Sequence, residues 1–536
     1  MFSSLRAACL AWLRRQIARL TSGRAAAALV LAGAASASLG FLLAWLVTSP
    51  SWSMGINWDT SGYASEIARG SPWARTPWNS HYGIGHLYWL AAHLARPLGL
   101  TVLDSIRALN ALAFATSALV IALAAIRLRL RPLHAVLVAA VYLTGWGTLL
   151  LASTWEDNIL FHPPALATLA LCLLRIDAWR WRDSLLAGLL AGLASLMSWQ
   201  GAAFALPAIY ASLFLAGAHR SWWQRLRDGA CVPAGLILAR FAWASLYWLT
   251  AWQLDYPGLL KTAFERPSPN FLPQHLPGWL ALLGRWRELL AHLGLGMTHE
   301  LGPGVRDSVT ALPHLMALGT VFLGLVVLAW LLVCLVCRRR FSRRAQFVVM
   351  GFLLLTLSAA IYLDLPADKY KRYDYLPMLV SLALTVLAAW VLRRQGRGRW
   401  PRRVLMFGLV ALVTGQLVVA YHWNRQWYAR LTTGPAAKRL GHGRKTWFAY
   451  TRSLGRAAPS ACSFVFAFDE VSGAKDNLEI LAALLSELPD PLVIDAPPTA
   501  PAWPRPLPLS SAAELAAHGR GCEWLSPAAR SRMPSQ

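Results

Sequence analysis

The sequence predicts an all-α polytopic membrane protein of about eleven transmembrane helices, followed by a small external α/β domain at its C-terminal end. Three observations predict it. Of 536 residues, 56% are hydrophobic and 14% charged, with a mean hydropathy of +0.43; a soluble domain carries about 25% charged residues. Apolar runs of bilayer length, about 20 residues, recur along the chain. Most of the formal net charge of +26 falls in alternate connections between those runs. High hydrophobicity excludes disorder. A nucleic-acid surface would account for the basic excess but not for the shortage of charge, so no nucleic-acid partner is expected.

The runs are 25–48, 106–126, 133–153, 159–174, 184–198, 200–218, 229–250, 313–337, 345–363, 375–392 and 404–422. The 184–218 pair is open to a kink. The first run follows a five-Arg leader, 1–24, expected as a basic cytoplasmic N-terminus. Its small-residue pattern AAAALVLAGAASAS resembles a cleavage site. The apolar stretch continues through FLLAWLV, so it is read as an uncleaved span. With the N-terminus inside, the inner connections are 1–24, 127–132, 175–183, 219–228, 338–344 and 393–403. They hold twenty-five Lys and Arg against three acids, Asp177, Asp183 and Asp228, a net +22 of the +26. That is the positive-inside signature, and it points to a bacterial-type inner membrane with the C-terminal domain outside. The twenty-seven Trp residues, many near span ends, suit interfacial anchoring.

Within 25–422 the outer connections carry the informative residues. Segment 49–105 is far too long for a turn. In it, Leu87, Leu90 and Leu94 share one face at helical spacing and His86 and His93 another, the pattern of a helix lying in the membrane interface. The turn 153–158 reads Ser-Thr-Trp-Glu-Asp-Asn, the loop 251–312 is half Pro-rich, and 364–374 reads DLPADKYKRYD. From 423 to 536 charge and Pro rise and apolar spans cease. SFVFAF at 463–468 and PLVIDAP at 491–497 flank a helical pattern at 476–488, a strand–helix–strand unit, followed after 496 by a Pro-rich tail expected to be poorly ordered. Cys462 and Cys522, both in this region, are candidates for a disulfide in an oxidising compartment. Cys172, Cys231, Cys334 and Cys337 read as small hydrophobes.

Acids are scarce, so their positions matter. Asp59 lies about ten residues beyond the first run, Glu156 and Asp157 at the outer end of the third, and Lys369, Lys371 and Arg372 at an outer mouth where cations are disfavoured. A carboxylate and a cation cluster at one membrane face suit a lipid-linked phosphate substrate. The carboxylate takes a proton from an attacking hydroxyl or amine, and the cations stabilise charge on a departing phosphate. Arg240 lies mid-span, where a cation costs about 2.5–3.5 kcal/mol even on the mild insertion scale. It requires a polar cavity, a helix carbonyl, an acid or a lipid phosphate. His81 and His86 could touch substrate, but two His without a defined carboxylate form a weak metal set. Glu66, His292, His299 and Glu300 read as solvated.

This order of features resembles the GT-C class of membrane glycosyltransferases, the group holding protein O-mannosyltransferases and lipid A aminoarabinose transferases. Asp59 follows the first span in a long external loop. LARPLGLTVLDSIRALNALAFATSALVIALAAIRLR at 94–129 has Gly99, Arg107 and Asn110 where the family enters its second span. Glu156-Asp157-Asn158 forms the acidic turn. LLAGLLAGLASLMSWQGAAFALP ends in Gln200-Gly201 where relatives often carry Lys-Gly, and KYKRYDYLP at 369–377 resembles an external Arg-Tyr-Leu-Pro segment. The resemblance implies a polyprenyl-phosphate sugar donor and an external lipid, glycan or protein acceptor. It implies inversion at the anomeric carbon with Asp59 as base and Arg372 and its Lys neighbours on phosphate. No cofactor is implied; a divalent metal is admitted but not required. Two other readings share the membrane lipid as partner. One is a transporter or flippase of a polyprenyl-linked lipid with Arg240 on the path. The other is an O-antigen polymerase or ligase with its functional Arg and His residues in 251–312.

Overall fold

Helices begin where the sequence supplies a reason for them to begin. The computed structural model describes residues 24–48, 63, 67, 83–98, 100, 102–153, 157–216, 220–251, 343–362, 375–393, 400–432, 463–467, 491–494, 508–509 and 523–525. α1 is Arg24–Val47, α2 Ile84–Ala95, α3 Val102–Arg127, α4 Pro132–Thr144 and α5 Trp146–Ser153. After a 3₁₀ turn, Asp157–Phe161, come α6 (His162–Arg175) and α7 (Trp181–Met197). A second 3₁₀ turn, Trp199–Phe204, leads into α8 (Ala205–Tyr210) and one π-helical turn, Ala211–Leu215. α9 (Trp222–Ala251), α10 (Arg343–Tyr362), α11 (Tyr375–Arg393) and α12 (Trp400–Thr432) complete the described helices. α4 and α6 carry Pro in the first turn, where the missing N–H has no helical partner to lose. α7 opens with Asp183 Oδ2 accepting the Arg180 backbone N–H at 2.8 Å, an acid at the positive end of the helix dipole.

Every apolar run except 313–337, which lies outside the described residues, coincides with helical segments. Among the described residues three helices are long and apolar enough to cross a membrane: Ala27–Val47, Asp104–Arg127 and Trp222–Leu246. One of the expected spans is interrupted, and the pair 184–198 and 200–218 is kinked at its junction. The run 133–153 breaks at Gly145 (φ −53°, ψ 133°), and the Thr148 hydroxyl sits across the gap, 2.6 Å from the Tyr142 carbonyl. The pair 184–218 breaks at Ser198, whose extended backbone separates α7 from the 3₁₀ turn. Helix ends orphan carbonyls, and in an apolar setting a threonine hydroxyl is an inexpensive substitute for water.

α1 packs along α3, and α7 along α9. The second pair is in backbone contact. A Cβ at Gly188 would collide with the Val232 carbonyl and one at Gly235 with the Leu185 carbonyl, while one at Gly192 would fall 2.6 Å from Ala239 Cβ. The two helices run parallel, with Gly188 beside Val232 and Ser195 bonded to Arg240. Small residues allow such an approach, and lipid-embedded helices associate through close packing of this kind. Pro233 lies inside α9, which is tolerated where neighbouring helices absorb the lost bond.

At the end where α7 and α9 begin, all three acids of the inner connections are paired. Asp177 binds Arg344 at 2.6 Å and Asp183 binds Arg175 at 3.3 Å, while buried Asp228 binds Arg227 at 3.0 Å and also Arg220. Arg220 further donates to the Trp179 carbonyl, and Trp179 Nε1 to Ser184 Oγ. Connections 175–183, 219–228 and 338–344 therefore meet at one end of the bundle.

The C-terminal region supplies β1 (Ser463–Ala467), β2 (Pro491–Ile494), β3 (Pro508–Leu509) and β4 (Glu523–Leu525), all parallel, in the order β3-β2-β1-β4. The first two match the expected strands. The last two correct the reading of everything after 496 as a poorly ordered tail: short β-pairs need too few residues to show an alternating pattern. The helix expected at 476–488, and Cys462 and Cys522, lie outside the described residues.

Candidate functional site

The opposite end of the bundle collects the segments that the sequence singled out. α1 ends in Trp45 and Thr48, and the chain then enters the segment that contains Asp59. Arg107, one and a half turns into α3, holds that exit. Its Nε donates to Thr48 Oγ1 at 2.8 Å, its Nη2 to the Trp45 carbonyl at 2.7 Å, and its guanidinium lies 3.6 Å from the centre of the Trp45 ring. Thr48 in turn donates to the Ala44 carbonyl at 2.7 Å. A planar, always-charged fork with an aromatic face beneath it is the arrangement for which Arg, not Lys, is suited.

The return of the loop is held as firmly. Gly83 N–H donates to the Leu196 carbonyl at 2.7 Å, and a Cβ there would collide with Met197. In α2, Tyr88 donates to Asn110 Oδ1 at 3.1 Å. Tyr63, four positions beyond Asp59, is buried and packs edge-on against Tyr88 with ring centroids 5.7 Å apart; Ile67 is buried too. Arg107 and Asn110, one helical turn apart on α3, thus tie both ends of the Asp59 loop to the same helix.

α2 turns part of its apolar face outward, the direction in which a helix of the membrane interface meets lipid. Leu90 and Leu94 are exposed, whereas Ile84, His86, Tyr88 and Ala92 are buried. With lipid outside and polar joints inside, an apolar face turned outward carries no solvation cost, and the polar groups take the interior, where they find partners. Burial pushes the His86 imidazole down to about 4, so it is neutral at ordinary pH, as desolvation of a cation requires.

The two remaining pieces meet at the end of α7. Gln200 lies half-buried in the 3₁₀ turn after the Ser198 break, and Gly201 folds that turn so closely onto Ala194 and Ser195 that a Cβ would overlap their backbone. The 3₁₀ turn that begins with Asp157 packs on α3, α5 and α7, and its Phe161 meets Phe204 of the Gln200 turn at 6.1 Å between ring centroids. Arg240, 3% exposed, donates from Nε to Ser195 Oγ at 3.2 Å, and Ser195 donates to the Gly192 carbonyl at 2.7 Å. The structure thus gives Arg240 a partner the sequence reading had not considered, a serine hydroxyl that relays to a helix carbonyl.

Gln200, Arg240, the Asp157 turn and the return of the Asp59 loop therefore share one end of the bundle. Asp59, His81, Glu156, Lys369, Lys371 and Arg372, and the side chain of Asp157, lie outside the described residues. Sequence reasoning missed Ser195, Thr48 and Tyr88. A signal existed for the first: a mid-span Arg needs a polar partner, and Ser195 and Ser198 are the hydroxyls of the Gly-rich segment. Among the described residues no group of three or more His, Cys, Asp or Glu could hold a metal ion.

No protein-family model matches the chain, and no curated protein matches it in sequence. Among solved structures, the apo Archaeoglobus fulgidus oligosaccharyltransferase is similar at 14% identity and a TM-score of 0.47, over 88% of this chain and 64% of that one. The archaeal oligosaccharyltransferase AglB from the same organism, in complex with an inhibitory peptide and a dolichol-phosphate, gives 14% and 0.42, over 87% and 64%. The chain spans about two thirds of the length of these enzymes. A likeness at this level decides neither donor nor acceptor.

Proposed function

We propose that the protein is a GT-C-type membrane glycosyltransferase that moves a sugar from a polyprenyl-phosphate donor to an external acceptor. Asp59 takes the proton from the attacking group, and inversion follows from a single displacement at the anomeric carbon. Arg372, with Lys369 and Lys371, receives the charge that develops on the leaving phosphate; Arg240 and Gln200 line the approach of the lipid phosphate. Glu156 or Asp157 and His81 contact the acceptor. In this reading the ion-paired end of the bundle faces the cytoplasm, the loop-bearing end and the strands of the C-terminal region face out, and a divalent metal is not required.

The observation that carries the reading is the joint at the end of α7, where the return of the Asp59 loop, the Gln200 turn and a buried guanidinium come together. A cation kept at bilayer depth marks function more often than packing, and this one sits beside the loop that bears the proposed base. The order of motifs along the chain supplies the rest of the support. Asp59→Asn, expressed at normal levels in membranes, is expected to abolish transfer of label from a radiolabelled polyprenyl-phosphate sugar. Full transfer by that variant overturns the reading.

A further inference from the structure

The ion-paired end of the bundle has a second property. Its acids are consumed internally, Asp177 by Arg344, Asp183 by Arg175, and Asp228 by Arg220 and Arg227. Its aromatic and basic surface is not. At the start of α7, Trp181 is 42% exposed with the Arg182 guanidinium 5.4 Å from its ring centre. At the start of α9, Trp222 and Trp223 are 53% and 79% exposed, and the Arg227 side chain, one helical turn after Trp223, is 62% exposed.

The parallel register brings these together. Gly188 lies beside Val232 and Ser195 beside Arg240, so Arg182 stands at the height of Arg227. Arg227 is also immobilised: two of its nitrogens, Nε at 3.2 Å and Nη2 at 3.0 Å, bond Asp228 Oδ1. Asp228 is itself held from the other side by Arg220. One edge of the guanidinium is thereby engaged while the side chain stays 62% exposed. Trp at this height is what a headgroup layer selects, and arginine matches phosphate with two parallel donors.

We propose that the adjoining ends of α7 and α9 form a site for an anionic phospholipid, with Arg182 and Arg227 on the headgroup phosphate and Trp181, Trp222 and Trp223 at the glycerol level. The partner is a lipid and not a soluble phosphate because the same helix ends expose Trp181, Trp222 and Trp223, with Trp181 beside the Arg182 guanidinium, and a free anion would leave these indoles in water. Positive charge at this end then serves lipid capture as well as orientation. The proposal does not depend on the glycosyltransferase reading.

The test uses the full chain in neutral detergent, with thermal unfolding followed as phosphatidylglycerol or phosphatidylcholine is added. Phosphatidylglycerol is expected to raise Tm in a saturable manner, and phosphatidylcholine is not. The double variant R182Q/R227Q keeps the Arg220–Asp228 pair. It is expected to bind phosphatidylglycerol about 30-fold more weakly, at roughly 5-fold per surface arginine removed. Trp223→Leu, at an exposed position that leaves the ion pairs intact, is expected to weaken binding with the starting Tm unchanged. Equal stabilisation by both lipids, or an unchanged phosphatidylglycerol response in R182Q/R227Q, overturns the proposal.

Discussion

The Arg107 joint can be tested quantitatively. Arg107→Met keeps much of the side-chain volume and removes the guanidinium, so the bonds to Thr48 Oγ1 and the Trp45 carbonyl go, together with the contact over the Trp45 ring. Hydrogen bonds from a charged donor are worth about 1.5–3 kcal/mol each, and a partly desolvated cation–π contact about 0.5–2 kcal/mol. Two effects reduce the sum. The Met variant no longer bears the cost of desolvating a buried cation, and the Trp45 carbonyl keeps the Thr48 hydroxyl at 3.3 Å. A net loss of about 1–3 kcal/mol is expected. A double-mutant cycle with Thr48→Val isolates the Nε bond. Membrane-embedded cycles average about 0.6 kcal/mol and reach about 1.7, and a charged donor belongs toward the upper end, so the coupling should be about 1 kcal/mol. The assay is reversible unfolding in mixed micelles, followed by tryptophan fluorescence for the native chain, both single variants and the double. Additivity to within about 0.3–0.5 kcal/mol, the value for independent sites, would refute the claim that Arg107 holds the loop's exit through Thr48.

Three further outcomes are expected. Gly235→Leu drives a side chain into the Leu185 carbonyl; since α7 and α9 are in backbone contact they must separate, and loss of well over 1–3 kcal/mol should appear as failed accumulation of monodisperse protein in size-exclusion chromatography. His86 binds its proton more weakly folded than unfolded, with a folded pKa of about 4 against the ordinary 6.5. Stability is thus fully present above about pH 6.5 and falls as pH drops toward 4, and His86→Gln should flatten that part of the Tm–pH curve. Arg240→Met removes a buried cation and its bond to Ser195 Oγ. Transfer from the lipid-phosphate donor should fall at least tenfold, by more than the accompanying change in Tm accounts for, and a Tm loss matching the activity loss would make Arg240 structural.

What the sequence showed, and what it hid, separates along physical lines. Apolar runs are long-range statistics, and each described one is helical to within a few residues, as at Arg24–Val47 against 25–48. Breaks are local. Thr-Gly-Trp-Gly at 144–147 holds the signal for the interruption at Gly145, and a hydropathy average passes over it because all four residues are tolerated in lipid. The two faces of α2 were legible as amphipathicity, but which groups each face meets was not. Leu90 and Leu94 are outside, and His86 and Tyr88 inside. Arg107 and Asn110 were singled out by the order of motifs, but what they do required coordinates: Thr48 is 59 positions from Arg107, and no periodicity joins them. Arg240 was found because a cation in an apolar run stands out, Gln200 because the resemblance points to its turn, and Ser195 was overlooked because a serine in an apolar run does not stand out.

The joint at Gly83 bears on which substitutions can free the Asp59 segment. The returning chain is fastened to α7 by a main-chain donor and a main-chain acceptor at a position where a Cβ would meet the end of the Met197 side chain, and departure is fastened by Arg107 on α3. Of the residues between 49 and 82, the described Tyr63 and Ile67 are buried as well. The two ends of the segment are thus held by chemically different means, a guanidinium at departure and a main-chain bond at return, so a side-chain substitution can loosen the first attachment and not directly the second.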